Sequence, residues 1–151
     1  MKRVLGVVLA LCAAVGPAQA GVIDAHFGGG RGCYSRVYDR AHLNGHPDQL
    51  VTEIHLGASS IADPDYAGTL LEFGFTLRGG AQYGVTAYCL SNGCSLEGDS
   101  GSFRLAEDGK GLRLSIGDFV TLEGETGFSP DLANSDDTVF LLYPAKAGAC
   151  G

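Results

Sequence analysis

The chain has 151 residues, with 17 acidic against 10 basic residues and a formal net charge of −7 at neutral pH. Because proteins bind nucleic acid through clustered lysines and arginines, this balance argues against a nucleic-acid partner. Negative charge attracts a basic protein or a cationic ligand, or it serves only to keep an exported protein soluble. We expect a basic protein or a small envelope ligand as the partner. The longest apolar run, residues 4–15, is shorter than the roughly 20 residues of a membrane-spanning helix, so we expect no membrane span. No cofactor motif is present in the sequence, and we expect no cofactor.

The first residues of the chain have the three parts of an export signal. Lys2 and Arg3 are followed by the apolar run and then by a small-x-small cleavage site, Ala-Gln-Ala, at residues 18–20. We therefore predict a signal peptide over residues 1–20, a single mature β-rich domain over 21–151, and a periplasmic or secreted location. Cleavage removes two basic residues and no acidic one, so the formal charge changes from −7 to −9.

Apolar and polar residues alternate along much of the mature chain, which is typical of half-buried β-strands. The clearest case is residues 69–78, in which Leu71, Phe73, Phe75 and Leu77 share one face. Strands are predicted at 33–38, 50–56, 69–78, 81–89 and 94–97, around Phe103 and Leu105, from Leu112 through Ile116 towards Val120 and Leu122, and around Val139, Leu141 and Tyr143 up to Pro144. No segment has a convincing amphipathic-helix pattern.

The spacing of these strands predicts the fold class. Glycine accounts for 24 of the 151 residues, which indicates many turns, including hairpin turns at Gly79-Gly80 and Asp108-Gly109. About eight short strands predict an all-β fold. We favour a small antiparallel β-barrel, because a closed sheet leaves no unpaired edge, and a β-sandwich is the alternative.

Four cysteines remain in the mature chain: Cys33, Cys89, Cys94 and Cys150. An even number in an exported domain predicts two disulfides, for which three pairings are possible. Cys89 and Cys94 flank a short loop with an Asn-Gly turn signal, so we expect them to pair across a hairpin. The second bridge would then join Cys33 to Cys150 and tie the two ends of the domain together.

Tyr34, Arg36 and Tyr38 alternate onto one face of the first predicted strand. Two interpretations remain open. The residues form a stacking platform for a ligand, or they are ordinary side chains of the barrel exterior or interior.

Three predicted connections are longer than hairpin turns, at residues 39–49, 58–68 and 125–137. Long loops on a rigid scaffold commonly carry binding residues. The candidate binding residues in these loops are His42, His46, Asp63, Asp65, Asp131, Asp136 and Asp137. A metal site at the histidines is one hypothesis, but no zinc-peptidase or EF-hand spacing is present, so we assign no metal ligand.

Residues 98–101, Gly-Asp-Ser-Gly, resemble the segment around the nucleophilic serine of trypsin-like proteases. His42 and either Asp63 or Asp65 precede Ser100 in the order of that family, and the resemblance implies a serine hydrolase. The chain departs from the family at Ser102, where the proteases have a second glycine, and it is too short between histidine and serine for two barrels. We therefore interpret the segment as a turn and assign no catalytic residue.

Residues 80–83, Gly-Ala-Gln-Tyr, are similar to a glycine-and-tyrosine loop in one family of small secreted bacterial lysozyme inhibitors. The serines that surround the loop in that family are missing here, and no functional residue is carried over. The size, acidity, disulfides and strand pattern of the chain are also similar to such inhibitors. We expect an exported, non-enzymatic binding or inhibitor-type module. The alternatives are a hydrolase or metal-dependent enzyme that uses His42, His46 and Ser100, and a lipocalin-like carrier with an apolar cavity.

Overall fold

The computed structural model describes residues 21–151, and the predicted signal peptide over residues 1–20 lies outside the described residues. The strands are β1 (Cys33–Val37), β2 (Val51–Ala58), β3 (Thr69–Leu77), β4 (Gln82–Leu90), β5 (Gly93–Leu96), β6 (Gly101–Asp108), β7 (Gly111–Val120), β8 (Glu123–Gly124), β9 (Gly127–Phe128) and β10 (Val139–Pro144). The α-helices are α1 (Val22–Phe27) and α2 (Arg40–Gly45), and single 3-10 turns lie at Glu97–Asp99, Leu132–Asn134 and Ala147–Ala149.

Eight of these strands, β1 to β7 and β10, form a closed antiparallel barrel. Strands that are neighbours in the chain are neighbours in the sheet, and β10 closes the circle by pairing with both β7 and β1. The predicted eight-stranded barrel is confirmed, and the sandwich alternative is wrong. Because successive strands run in opposite directions, their connections alternate between the two ends of the barrel. This alternation decides which loops can act together.

The interior of the barrel is filled by the alternating apolar side chains. In β3, Leu71, Phe73, Phe75 and Leu77 are all buried, as their spacing predicted. The predicted last strand is present, but its buried residues are Phe140 and Leu142, whereas Val139 and Tyr143 are exposed. All five residues from Val139 to Tyr143 are apolar, so alternation could not identify the face that turns inward.

Helix α1 covers one end of the barrel. Ile23 and Phe27 lie one turn apart and are fully buried, since this spacing places them on one face of the helix. The Ile23 N–H donates to the Ser91 carbonyl in the β4–β5 turn at 3.2 Å. A six-residue helix is too short to show a helical period in the sequence, which explains why it was not predicted.

Both predicted disulfides are confirmed, Cys33–Cys150 and Cys89–Cys94. Cys89 and Cys94 are direct partners across the β4–β5 ladder, with a Cα–Cα distance of 4.1 Å. The C-terminal segment lies across the outside of β2, where a Cβ on Gly57 would come within 2.6 Å of the Cys150 Cβ. The two bridges are compatible with a location outside the cytoplasm. None of the helices in residues 21–151 is long and apolar enough to cross a membrane.

Candidate functional site

The connections at one end of the barrel form what we call the acidic end. It consists of the segments after β1, β3, β5 and β7, at residues 38–50, 78–81, 97–100 and 121–138. These segments carry nine acidic residues: Asp39, Asp48, Glu97, Asp99, Glu123, Glu125, Asp131, Asp136 and Asp137. Their basic residues are Arg40 and Arg78. The acidic end therefore has a strong excess of negative charge.

The opposite end of the barrel is balanced in charge. It consists of residues 21–32, 59–68, 91–92, 109–110 and 145–151. Its acidic residues are Asp24, Asp63 and Asp65, and its basic residues are Arg31, Lys110 and Lys146. The two ion pairs within residues 21–151, His26–Glu107 and Arg113–Asp108, involve none of the carboxylates of the acidic end. None of those carboxylates is therefore neutralised by an ion pair within the described residues.

Two of the three long loops predicted to bind meet at the acidic end, and the third does not. The connections that contain residues 39–49 and 125–137 follow β1 and β7 at this end, whereas residues 58–68 connect β2 to β3 at the opposite end. Asp63 and Asp65 are therefore separated by the length of the barrel from the other predicted residues. The Asp63 carboxylate accepts a hydrogen bond from the Asp65 N–H at 3.0 Å, within its own turn.

Asp137 joins the two long loops of the acidic end. Its carboxylate is buried, with 1% exposure, and accepts hydrogen bonds from the Leu50 N–H at 2.6 Å and the Val51 N–H at 3.2 Å. The Ser135 hydroxyl lies 2.9 Å from the same carboxylate and 2.9 Å from the Leu132 carbonyl, so these two acceptors share its single proton. A buried carboxylate needs such partners to offset its desolvation. Asp137 is therefore placed to order the loops, and it cannot reach a partner directly.

Asp131 has a similar structural position, whereas Asp136 is open to solvent. The Asp131 carboxylate accepts from the N–H groups of Val120 and Ala133, both at 3.0 Å, and from the Asn134 side chain. Asp136 is exposed. Of the predicted aspartates in this loop, Asp136 alone presents its charge fully to the surface.

Helix α2 holds His42 and His46 in a stacked pair. The Asp39 carboxylate caps the helix by accepting from the His42 N–H at 2.7 Å. The two imidazole rings lie 4.2 Å apart, centroid to centroid, and His46 Nδ1 donates to the His42 carbonyl at 2.8 Å. His42 Nε2 donates to Gln49 Oε1 at 2.9 Å. These contacts order the loop.

Arg78, at the start of the β3–β4 turn, fixes the end of this loop. Its guanidinium donates to the carbonyls of Leu43, His46 and Gln49 at 2.8, 2.9 and 2.6 Å. Leu43 belongs to α2 and the other two residues follow it, so Arg78 ties the end of the helix to the chain that continues towards β2. The acidic end is consequently a preorganised surface.

The residues of the serine-hydrolase hypothesis do not all lie at one end of the barrel. Ser100 and His42 follow β5 and β1 at the acidic end, and Asp63 and Asp65 are at the other end. His42 is hydrogen-bonded to Gln49 and not to a serine. Residues 21–151 contain no group of three or more histidine, cysteine, aspartate or glutamate side chains that could hold a metal ion.

Exposed apolar side chains accompany the charge at the acidic end, and the sequence did not identify them. Phe128 is 70% exposed in β9, and Phe119 is 43% exposed near the end of β7. Val37 and Val139, which border the two long loops, are also exposed. The sequence could have indicated the exposure of Phe119, because adjacent residues of a strand point to opposite faces and the neighbouring Val120 is buried.

Two clefts among the described residues lie on the outside of the barrel. One, of about 550 Å³, is bordered by Arg31, Glu72 and Cys150, and another, of about 360 Å³, is bordered by His55 and Gln82. Burial lowers the pKa of His55, although Glu53 and Glu72 oppose this effect. The barrel interior contains Phe27, Phe73, Phe75, Phe103 and Phe140, all fully buried. This packing argues against the carrier alternative, which requires an internal cavity.

No family model matches the sequence, and comparisons with curated proteins and with solved structures find no match. The functional inference therefore depends on the geometry and charge of the domain itself.

Proposed function

We propose that the exported mature domain is a non-enzymatic binding module of the inhibitor type, and that its acidic end docks on a basic protein outside the cytoplasm. The observation that carries the proposal is the separation of charge. One end of the barrel has nine acidic and two basic residues in its connections, and the other end has three of each. Negative charge that served only solubility would not need to be concentrated at one end of the barrel.

Charge concentrated on one face raises the rate at which an oppositely charged partner associates. Lasting affinity requires buried apolar contacts as well, because exposed ion pairs contribute little. Phe119 and Phe128 supply apolar surface at the same end. The hydrogen bonds of Asp137 and Arg78 hold the loops in place, which lowers the entropy lost on binding.

The test uses a basic lysozyme as the first probe, together with a second basic secreted enzyme. Association and dissociation rates with the mature domain are measured at about 20 and 300 mM NaCl. Since the Debye length shrinks from roughly 20 Å to below 8 Å over this range, we expect the association rate to fall by about tenfold or more. We also expect the bound enzyme to lose activity towards its substrate.

A matched pair of double variants separates the acidic end from general charge. Glu123→Gln/Glu125→Gln removes two exposed charges from the acidic end, and Asp24→Asn/Asp65→Asn removes two from the opposite end. Only the first should slow association. A salt-independent rate, an equal effect of both variants, or no interaction with either basic enzyme would contradict the proposal. Binding without loss of enzyme activity would contradict only the inhibitor assignment.

A further inference from the structure

Arg36, Tyr38 and Tyr143 form a cluster where β1 meets β10, which we call the Arg36 site. The guanidinium carbon lies 5.2 Å from the centroid of the Tyr38 ring and 5.3 Å from that of the Tyr143 ring. The β1–β10 register pairs Ser35 with Tyr143, which places Tyr143 one residue from Arg36 along the ladder, whereas Arg36 itself is opposite the buried Ile54 of β2. Contacts with two aromatic rings at these distances are favourable cation–π interactions and restrain the guanidinium.

The Tyr38 ring is itself held in place by the acidic-end loop. The His42 ring packs on it at 4.7 Å between centroids, and His46 stacks on His42. The Tyr38 N–H donates to the Thr52 carbonyl of β2 at 2.9 Å. Burial raises the pKa of Tyr38, and the positive charge of Arg36 opposes that rise. The phenol therefore remains protonated and able to donate at neutral pH.

Arg36 has no hydrogen bond and no ion pair with any of residues 21–151, and its Nε is buried without a partner. Other arginines of the domain are either bonded or open to water. Arg78 donates to three carbonyls, Arg113 pairs with Asp108, and Arg104 is exposed. A buried donor without an acceptor is uncommon and is frequently a sign of a missing partner.

Arg36 as a residue is partly exposed, and its terminal nitrogens are the polar atoms left for such a partner. They too have no acceptor among the described residues, but unlike Nε they are not fully buried. The side chain thus presents a planar, positively charged edge with two N–H-bearing nitrogens, oriented by two rings. This is the arrangement that a carboxylate matches with two parallel hydrogen bonds.

We infer that the Arg36 site binds a carboxylate, from a small organic acid or from the C-terminus of a peptide. The surrounding charge favours a monoanion over a phosphate. Asp137 lies close enough to affect Tyr38, and the acidic end is adjacent, so a dianion would meet about twice the repulsion that a carboxylate meets. The inference does not depend on the proposed function, since its ligand is an anion and the proposed partner is a basic protein.

The inference is tested by NMR on the ¹⁵N-labelled mature domain. The buried Arg36 Nε–H should exchange slowly and give an observable signal at neutral pH. We expect sodium acetate to shift this signal and the Tyr38 and Tyr143 ring protons with saturation, at a Kd of about 10 mM. Sodium chloride at the same ionic strength should not reproduce the effect. Arg104, which is exposed and unpaired among the described residues, is the internal control.

Two variants and two further anions complete the experiment. Arg36→Lys keeps the charge but loses the planar edge, so acetate affinity should fall about tenfold, while Tyr143→Leu should weaken binding with the rest of the spectrum unchanged. If N-acetylglycine binds more tightly than acetate, the natural carboxylate is the C-terminus of a peptide. If the two anions bind with equal affinity, it is a small organic acid. The inference would be overturned if sodium chloride caused the same NMR shifts as sodium acetate, or if inorganic phosphate bound more tightly than acetate.

Discussion

Replacing Asp137 with alanine removes the acceptor that joins the two long loops of the acidic end. The Val51 N–H would be left buried without a partner, which costs about 1–3 kcal/mol. The Leu50 N–H would lose a hydrogen bond to a charged group, at about 1 kcal/mol after partial hydration, whereas the Ser135 hydroxyl could still donate to the Leu132 carbonyl. We therefore expect Asp137→Ala to lower the free energy of unfolding by about 2–4 kcal/mol and the Tm by more than about 6 °C.

The neighbouring residue provides the control for this prediction. Asp136 is exposed, and Asp136→Ala should change stability by less than about 0.5 kcal/mol. Urea unfolding followed by circular dichroism measures both variants, and an unchanged m-value would show that the two transitions are comparable. Equal stability of the two variants would refute the structural role of the Asp137 carboxylate.

Two further predictions concern the outer face of the barrel. Gly57→Ala should destabilise the domain by about 1–3 kcal/mol, because the new methyl would lie 2.6 Å from the Cys150 Cβ. Gly84→Ala is the control, since its methyl would meet nothing closer than 3.9 Å and should be tolerated. Thermal unfolding distinguishes the two variants. Burial lowers the pKa of His55 below its ordinary 6.5, so the unfolded chain binds the proton more readily and stability should fall as the pH drops below about 6.5. Denaturant unfolding at pH 7.5 and 5.5 should show a smaller loss for His55→Gln than for the unaltered domain, and an equal loss would contradict the burial effect.

The barrel and both disulfides were predictable because they follow from local patterns. Alternation in β3 identifies four buried residues, and the short spacing of Cys89 and Cys94 permits a hairpin pair. Alternation fails in β10, where every residue from Val139 to Tyr143 is apolar and only the register with β7 selects Phe140 and Leu142 for the core.

The candidate site was less predictable, because it depends on which connections share an end of the barrel. The sequence identified the loops at 39–49 and 125–137 but gave no reason to separate them from 58–68. That separation follows from the strand order, which the sequence pattern does not state. Likewise, the sequence left two interpretations of Tyr34, Arg36 and Tyr38, namely a ligand platform or ordinary barrel side chains. Choosing between them required the position of the Tyr143 ring, which only the structure shows to lie near Arg36.

The most direct test of the acidic end as a docking surface is a hydrogen-exchange footprint of the mature domain with and without a basic lysozyme. We predict slower amide exchange in residues 39–49 and 121–128 and no change in residues 59–68 at the opposite end. Protection centred on residues 59–68, or spread evenly over both ends, would contradict it.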